Sequence, residues 1–191
     1  MGRAAQIGRA AILECALKIA DDQGLDAVTM QAVAKRLQVT PMALYRHVAN
    51  KAALLDGLVE MLLTEFSLPA RELPWDERLT ALAAGIRAAA RRHPGVFVLL
   101  LSRPTVTGAA VHVRDAIHQA LREAGVPETD VGRTERLLST AVLGFAVSEA
   151  TGRFRLHDQT VIDEDFAELQ RWMRRLLPTP PSPPDSGAVT A

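Results

Sequence analysis

Apolar residues recur along the chain with the spacing of amphipathic helices. Within residues 13–20, and again within 30–37, apolar positions stand three, one and three apart, which places them on one helical face. The alternating Val, Ile and Thr pattern of a strand is absent from the sequence. Longer stretches rich in Ala, Leu, Arg and Glu predict further helices at about 51–66, 76–93, 106–124, 130–151 and 163–177. The pattern predicts an all-α fold.

Two short helices are predicted to follow the first one and to share a tight turn. Thr29 can cap a helix from about Met30 to Leu37, because its hydroxyl accepts a hydrogen bond from a free amide of the first turn. Thr40 is a good cap for a second helix that runs from Pro41 to about Val48, and proline at the first helical position loses no hydrogen bond. The residues expected to pack these helices together and against the first one are Leu13, Leu17, Val33, Ala34, Leu37, Val39, Leu44 and Val48. The arrangement is a helix-turn-helix on a three-helix scaffold.

The outward face of the second short helix carries the candidate chemistry. Leu44 and Val48 point inward, which leaves Arg46 on a polar face where its guanidinium can make a bidentate contact with guanine. Neighbouring groups can donate to phosphates and so fix the register on a duplex. The residues predicted to contact DNA are Thr29, Gln31, Thr40, Pro41, Met42, Ala43, Tyr45, Arg46, His47 and Lys51. The alternative is that Arg46 and Lys51 are solvated surface charges and that Tyr45 only packs at the edge.

Charge is distributed unevenly along the chain. The 191 residues are 48% apolar, enough to bury a core, and 22 basic residues balance 22 acidic ones. Residues 1–51, however, carry seven basic side chains against four acidic ones and include all three lysines. This gradient predicts that the N-terminal end meets a polyanion.

Several classes of protein are excluded by what the sequence lacks. Cys15 is the only cysteine, so the chain has no intramolecular disulfide and no cysteine zinc site, and it fits a reducing cytosol. The longest apolar run, Val96 to Leu101, is far shorter than the roughly 20 residues that span a bilayer, and no signal-peptide core opens the chain. We therefore expect a cytoplasmic protein without a membrane partner.

Catalytic signatures are also missing from the sequence. There are no paired carboxylates on one helix face, no Ser/His/Asp order, no glycine-rich phosphate loop and no His/Cys metal spacing. His112 and His118 are six residues apart, which places them on different helix faces. We expect no enzyme activity, no metal and no cofactor.

The segment from Val28 to Asp56 resembles the DNA-binding domain of the tetracycline-repressor (TetR) family. The residues that carry the resemblance are Thr29, Ala34, Leu37, Val39, the string Leu44-Tyr45-Arg46-His47-Val48-Ala49-Asn50-Lys51 and the following Ala53-Leu54-Leu55. The family commonly has glycine where this chain has Gln38. If that position needs a positive φ, the side chain costs about 1–2 kcal/mol.

The resemblance implies a ligand-responsive repressor that binds a palindromic operator as a homodimer. The resemblance and the breaks between the predicted helices together predict a helix-turn-helix domain at 1–55 and a helical ligand-binding and dimerisation domain at 56–177. Five prolines among residues 178–184 predict a disordered tail over 178–191. The competing interpretation is a helical protein-interaction module that has lost DNA binding.

A small-molecule effector, unknown in identity, is implied as a partner. The stretch from Leu101 to Thr105 resembles one that lines the drug pocket of the tetracycline-responsive branch, whose metal-chelating histidine is replaced here by Leu99. That replacement argues against a magnesium–drug chelate. The candidate ligand-binding residues are Leu82, Ile86, Phe97, Leu101, Ser102, Arg103, His112, Phe145 and Glu149. The alternative is that these residues form ordinary core.

Homodimerisation is expected on physical grounds as well. One helix-turn-helix reads too few bases for genome-scale specificity, whereas two copies about 34–36 Å apart address successive major grooves. Two apolar stripes near the C-terminus are candidates for the interface: Leu138, Ala141, Val142, Phe145 and Ala146, then Phe166, Leu169, Trp172, Met173 and Leu176. The rival interpretation is that both stripes only complete the monomer core.

Overall fold

The computed structural model describes residues 7–103 and 107–178, and these ranges are helical with no strand, as the apolar spacing predicted. A single 3₁₀ turn, Leu25–Ala27, interrupts the series of α-helices. The helices are α1 (Arg9–Gln23), α2 (Met30–Arg36), α3 (Pro41–Tyr45), α4 (Lys51–Thr64), α5 (Trp75–Arg92), α6 (Pro94–Phe97), α7 (Leu99–Ser102), α8 (Gly108–Glu123), α9 (Glu128–Ala150) and α10 (Gln159–Leu176).

Helices α1, α2 and α3 close on one another through the predicted residues. Six of the eight predicted core residues are buried, while Leu37 and Val39 are half-buried at the turn. The Thr29 hydroxyl accepts a 3.0 Å hydrogen bond from the Ala32 amide, which confirms the predicted cap of α2. Asn50 caps α4 in the same way, through the Ala53 amide at 2.9 Å.

Helix α3 begins as predicted but ends earlier. Thr40 occupies the N-cap position and Pro41 is the first helical residue, although the Thr40 side chain makes no capping hydrogen bond. The helix ends at Tyr45 instead of Val48. The chain nevertheless keeps one more helical bond, from the Val48 amide to the Leu44 carbonyl at 2.9 Å, and this holds Val48 in the core.

The turn between α2 and α3 has a positive φ at Gln38, the position where the family commonly has glycine. Gln38 has φ 57° and is the one non-glycine residue with positive φ among those that the structure describes. The Val39 amide donates to the Ala34 carbonyl at 2.9 Å and the Gln38 amide to Lys35 at 3.2 Å, the two bonds of a Schellman motif. A side chain therefore occupies a left-handed position that favours glycine.

Helix α4 passes through the predicted domain boundary at residues 55 and 56. One hydrophobic core, from Ile12 on α1 to Phe166 on α10, continues on both sides of this boundary. A smaller cluster, which includes Leu121, Val131 and Leu177, lies at the other end of the body. The helix-turn-helix region, predicted to bind DNA, thus shares a core with the rest of the chain, and the division into domains stays a prediction.

Two short helices that the sequence did not predict, α6 and α7, connect α5 to α8. Helix α6 packs on the end of α1, where a Cβ at Gly95 would lie 2.8 Å from the Ala20 carbonyl oxygen. Only glycine allows that approach. Pro104, Thr105 and residues 179–191 lie outside the described residues, so the Arg-Pro motif beyond Arg103 and most of the predicted tail are not addressed.

Within the described ranges, none of the helices combines the length and the apolar character needed to cross a bilayer.

Candidate nucleic-acid interface and ligand cavity

The residues predicted to contact DNA lie on one accessible end of the molecule. Eight of the ten are exposed, and Thr29 and Ala43 are half-buried. Met42 at the start of α3 is 72% exposed and Tyr45 at its end is 47% exposed. Arg46 and His47, whose burial would have contradicted the interpretation, are both exposed.

The basic side chains of this surface have no ion-pair partner among the residues that the structure describes. Arg46, His47 and Lys51 form no ion pair with any described residue, whereas neighbouring Arg36 pairs with Asp22 at 3.0 Å. An unpaired, solvated cation can replace counterions on a phosphate backbone without first breaking an internal bond.

The inner side of the helix-turn-helix fixes the position of these groups. Leu44 is fully buried and Val48 is nearly so, which holds α3 and the following turn against the scaffold. Short side chains at Pro41 and Ala43 let the helix start approach a groove closely. The surface therefore combines a rigid base with accessible donors, as a groove-binding element requires.

A cavity of about 140 Å³, here called the inner cavity, lies in the body between α4, α5, α8 and α9. Its polar lining consists of Arg114, Glu135 and Ser139. The apolar lining residues include Leu63, Phe66, Ile86, Leu100, Val113, Ile117 and Leu143. A mostly apolar cavity with a few polar groups is typical of a small-molecule site.

The predicted ligand-binding residues are only partly brought together. Ile86 lines the inner cavity, and Leu82 lines a narrow cavity next to it. His112 and Leu82 line a separate cleft over the buried Arg78. Phe97 is fully buried in the core instead.

The remaining predicted ligand residues have other surroundings. Leu101 and Ser102 are exposed to solvent and line none of the cavities described above. Arg103 pairs with the Asp56 carboxylate and donates to the Ala52 carbonyl at 3.3 Å, both on α4. It therefore joins the body to the helix that leads out of the DNA-binding region.

Phe145 and Glu149 belong to a cluster around the buried Arg87. The Arg87 guanidinium donates to Glu149 at 2.5 and 2.7 Å and to Asp163 at 2.5 Å. It also lies 5.8 Å from the Phe145 ring centre and 4.7 Å from that of Phe166. These contacts tie α5, α9 and α10 together, and they occupy Glu149 within the fold.

The same contacts shift the pKa values of the cluster. Burial raises the pKa of Glu149, but hydrogen bonds from Arg87 and Gln159 outweigh it and hold that pKa below its ordinary value. Hydrogen bonds from Gln159 and Arg87 lower the pKa of Asp163. The hydrogen bond with Glu149 raises the pKa of Arg87. All three groups are charged near neutral pH.

The inner cavity contains residues that sequence reasoning did not select. Leu63 lies at the end of α4 and Phe66 just beyond it, and Arg114, Glu135 and Ser139 come from α8 and α9. The available signal was weak: Glu135 is an acidic residue one helical turn from Ser139 on an otherwise apolar face. Which helices face each other had to come from the fold.

A second contact joins the body to the DNA-binding region. His93 Nδ1 lies 2.8 Å from an Asp21 carboxylate oxygen on α1, and His93 Nε2 lies 3.5 Å from Glu65 just beyond α4. Together with Arg103, this places polar contacts from the α5–α7 segment on α1, on α4 and on the residue just beyond α4. Leu100 of the same segment lines the inner cavity.

Metal ligands do not converge in the parts of the chain that the structure describes: no group of three or more His, Cys, Asp or Glu side chains there could hold an ion. Leu99, at the place of the drug-branch histidine, is buried.

Two family models match most of the chain. The one described as "Bacterial regulatory proteins, tetR family" matches residues 12–58, and the one described as "Tetracyclin repressor-like, C-terminal domain" matches residues 79–172. The first range contains the candidate DNA surface, and the second contains most residues of the inner cavity.

Curated relatives and solved structures agree with these matches. Tetracycline repressor protein class C of Escherichia coli is 32% identical over 168 residues, which is 81% of this chain and 73% of that protein. HTH-type transcriptional repressor DrrR1 of Streptomyces coeruleorubidus is 29% identical over 140 residues, 72% of this chain and 52% of that protein. The chain spans between about half and three fifths of the length of several such relatives, DrrR1 among them.

The fold is similar to that of BioQ of Mycobacterium smegmatis, with a TM-score of 0.72 at 29% identity over 89% of this chain and 95% of that one. BioQ solved with its natural double-stranded DNA operator gives a TM-score of 0.73 at 28% identity over 88% of this chain and 99% of that one.

Proposed function

Since the chain belongs to the tetR family of bacterial regulatory proteins, we propose that it is a DNA-binding transcriptional regulator that acts as a ligand-responsive repressor. One observation carries this proposal: the predicted DNA surface is exposed, while the inward side chains beneath it are buried and α2 is capped by Thr29. Arg46 and Lys51 of this surface have no ion-pair partner among the described residues. The proposal assigns no catalytic step to the chain. It places the protein in the cytoplasm, where its DNA would be.

The residues of the DNA surface have different proposed roles. Arg46 reads a base edge in the major groove, where a bidentate contact with guanine discriminates by about 1–3 kcal/mol. Lys51, Tyr45 and His47 contact phosphates, which sets the register without reading sequence. Gln31 reaches the groove from α2.

The proposed operator is palindromic because the regulator is proposed to be a homodimer. Apolar side chains on the last two long helices stay accessible in the monomer: Trp172 is 58% exposed and Leu176 is 80% exposed, with Leu137 of α9 also exposed. Val142, Ala146 and Phe166 of the predicted stripes are buried in the monomer core instead. The accessible residues suit an isologous helical interface with a second copy.

The proposed effector binds in the inner cavity and changes the position of α4. Leu100 lines this cavity, and Arg103, three residues further, holds α4 through Asp56 and the Ala52 carbonyl. A ligand that moves this segment biases the angle at which the DNA-binding region leaves the body. It shifts the equilibrium only by its differential affinity for the two states.

Binding of the full chain to selected DNA tests the regulatory proposal. A random duplex pool should yield a palindromic site, and affinity for it should fall steeply with salt. Arg46→Ala should relax the sequence preference, while Lys51→Ala should weaken all sequences alike. Arg153→Ala, an exposed arginine near the end of α9, is the matched control and should change neither property. A chain that selects no sequence, or equal effects of all three variants, would reject the proposal.

The oligomeric state is tested by sedimentation of variants on α10. Leu176→Arg should turn a dimer into a monomer, because it places a charge in the proposed apolar interface. Leu156→Arg, in the turn before α10, is the control and should remain a dimer, although Leu156 is even more exposed. A monomeric wild-type chain on DNA would contradict the dimer.

A further inference from the structure

Three cavities follow one another along α5. An outer cavity lies where the start of α5 meets α9 and α10, and a middle cavity lies further along α5, where Ile117 of α8 also lines it. These two share Leu79, Ala83, Leu138 and Met173 as lining residues. The middle cavity in turn shares three lining residues with the inner cavity, namely Ile86, Ile117 and Ser139. The three cavities therefore adjoin one another along α5 and are called the line below.

The line is long, narrow and apolar in its middle. From Trp75 to Ile86 it follows eleven positions of α5, which is about 16 Å at the rise of an α-helix. The outer and middle cavities hold only about 20 and 30 Å³, against about 140 Å³ for the inner one. Ser139 is the one polar side chain that lines the middle cavity.

Polar groups lie at the two ends of this line. At the outer end, Arg174 pairs with Asp76 at 2.8 Å, and the Gln170 amide donates to the Thr80 carbonyl at 3.1 Å. Both contacts hold α10 over α5. At the inner end, Glu135 of α9 and Arg114 of α8 line the widest part. An occupant would therefore be apolar along its length and polar at the wide end.

We propose that the three cavities together bind one elongated ligand, an unbranched aliphatic chain whose polar end lies in the inner cavity beside Glu135 and Ser139. This inference rests on the proposed effector role of the inner cavity and names the chemical class of the effector. The middle cavity, at about 30 Å³, is too small for a fused ring system, so an occupant that reaches the outer cavity must be thin and flexible. Burial of each further methylene tightens binding roughly fourfold until the chain reaches the outer end.

Affinity as a function of chain length tests this proposal on the full chain. Calorimetry with octanoate, dodecanoate and hexadecanoate, each below its micelle concentration, should show Kd falling with length and then levelling off. The matching alcohols serve as a second head-group series. A rise of affinity with length in either series supports the proposal. A Kd that does not change with length in both series overturns it.

A plug in the middle section separates a chain-shaped site from unspecific apolar binding. Ala83→Leu adds volume where the outer and middle cavities meet, so the affinity gain should stop at a shorter chain. Ala84→Leu adds the same side chain to the exposed side of α5 and is the matched control, which should behave as wild type. Equal length profiles for the two variants would overturn the proposal.

A widening variant covers the case in which Ala83→Leu fails to fold. Met173→Ala removes part of the wall shared by the outer and middle cavities, so hexadecanoate should gain affinity relative to dodecanoate. An unchanged ratio of the two Kd values would count against the site. Binding of the selected DNA is measured in parallel without any chain compound. If DNA binding holds while the chain compounds fail to bind, this inference fails alone; if chains bind and DNA does not, the regulatory proposal fails.

Discussion

Arg46 and Arg87 are the same residue type in opposite surroundings. Arg46 is exposed at the end of α3 and has no ion pair with a described residue. Arg87 is buried on α5 between Glu149 and Asp163 and above the Phe166 ring. An arginine whose partners are internal stabilises the fold, whereas one without internal partners is available to an external anion.

The difference extends to the two regions in which these residues lie. At the DNA-binding end, the helix caps are made by neighbours in sequence, such as the cap of Thr29 on Ala32. The body depends on contacts between distant segments: Arg87 is 62 residues from Glu149 and 76 from Asp163. Charge therefore serves recognition at one end and tertiary structure at the other, and variants of the two regions should separate these effects.

The largest expected effect on stability is that of Arg87→Ala. Removal of the guanidinium leaves the almost fully buried Glu149 carboxylate without its main partner, which costs about 3 kcal/mol. Urea unfolding should report this loss, and the melting temperature should fall by about 6–12 °C for a chain of this size. Arg91→Ala is the control: Arg91 is half exposed and 3.8 Å from Glu149, so its loss should cost less than 1 kcal/mol. Similar costs for both variants would show that the cluster is not structural.

The pH dependence of the same cluster is the second prediction. Because the pKa of Glu149 is lowered in the folded state, its contribution is present above the ordinary glutamate pKa of about 4.3 and is lost as pH falls through the folded value. Glu149→Gln should therefore cost about 2 kcal/mol at pH 7, and the difference from wild type should shrink below about pH 4. Urea unfolding at several pH values measures this. For Glu164→Gln, at an exposed position on α10, the difference in unfolding free energy from wild type should not change with pH. A difference for Glu149→Gln that stays constant with pH would contradict the lowered pKa of Glu149.

The sequence predicted the DNA-binding end because its determinants are local. Thr29 and Asn50 cap helices through amides only three residues away, so residue type and position favour the bond, although Thr40 at the same position of α3 does not make it. The exposure of Arg46 follows from the inward positions of Leu44 and Val48 on the same turn.

The ligand site was not predictable in the same way. Phe145 and Glu149 were selected as apolar and polar candidates, yet the fold places Arg87 against both. Phe97 lies in α6, a short helix that the sequence did not predict, and its side chain is fully buried there. Cavity walls depend on which helices face each other, and periodicity within one helix contains no such information.

Gln38 departs from the glycine that both the family pattern and the backbone angle favour, and it gives the third prediction. Its φ of 57° costs about 1–2 kcal/mol, and glycine gives back about 0.5–1 kcal/mol of this in backbone entropy, so Gln38→Gly should raise stability by about 0.5–1 kcal/mol, or about 1–4 °C in melting temperature. Lys35→Gly, inside α2, is the opposite control and should lose about 1 kcal/mol, because its backbone is helical. A destabilising Gln38→Gly would mean that the Gln38 side chain contributes more than its backbone costs.

The smallest expected effect is that of Lys51→Ala, and it sets stability against function at a single residue. Lys51 is the first residue of α4, where the positive end of the helix dipole repels a cation, so its removal should stabilise the fold by about 0.3–0.5 kcal/mol. Thermal unfolding at low salt measures the gain, which should vanish at high salt because the repulsion is screened. The same variant should bind duplex DNA more weakly at every sequence. Lys18→Ala, within α1, changes the same charge away from the start of a helix and should show no stabilisation that depends on salt. If Lys51→Ala raises the stability of the fold and weakens DNA binding, the lysine is kept for its external partner. If the variant lowers the stability of the fold, the lysine serves the fold, as Arg87 does.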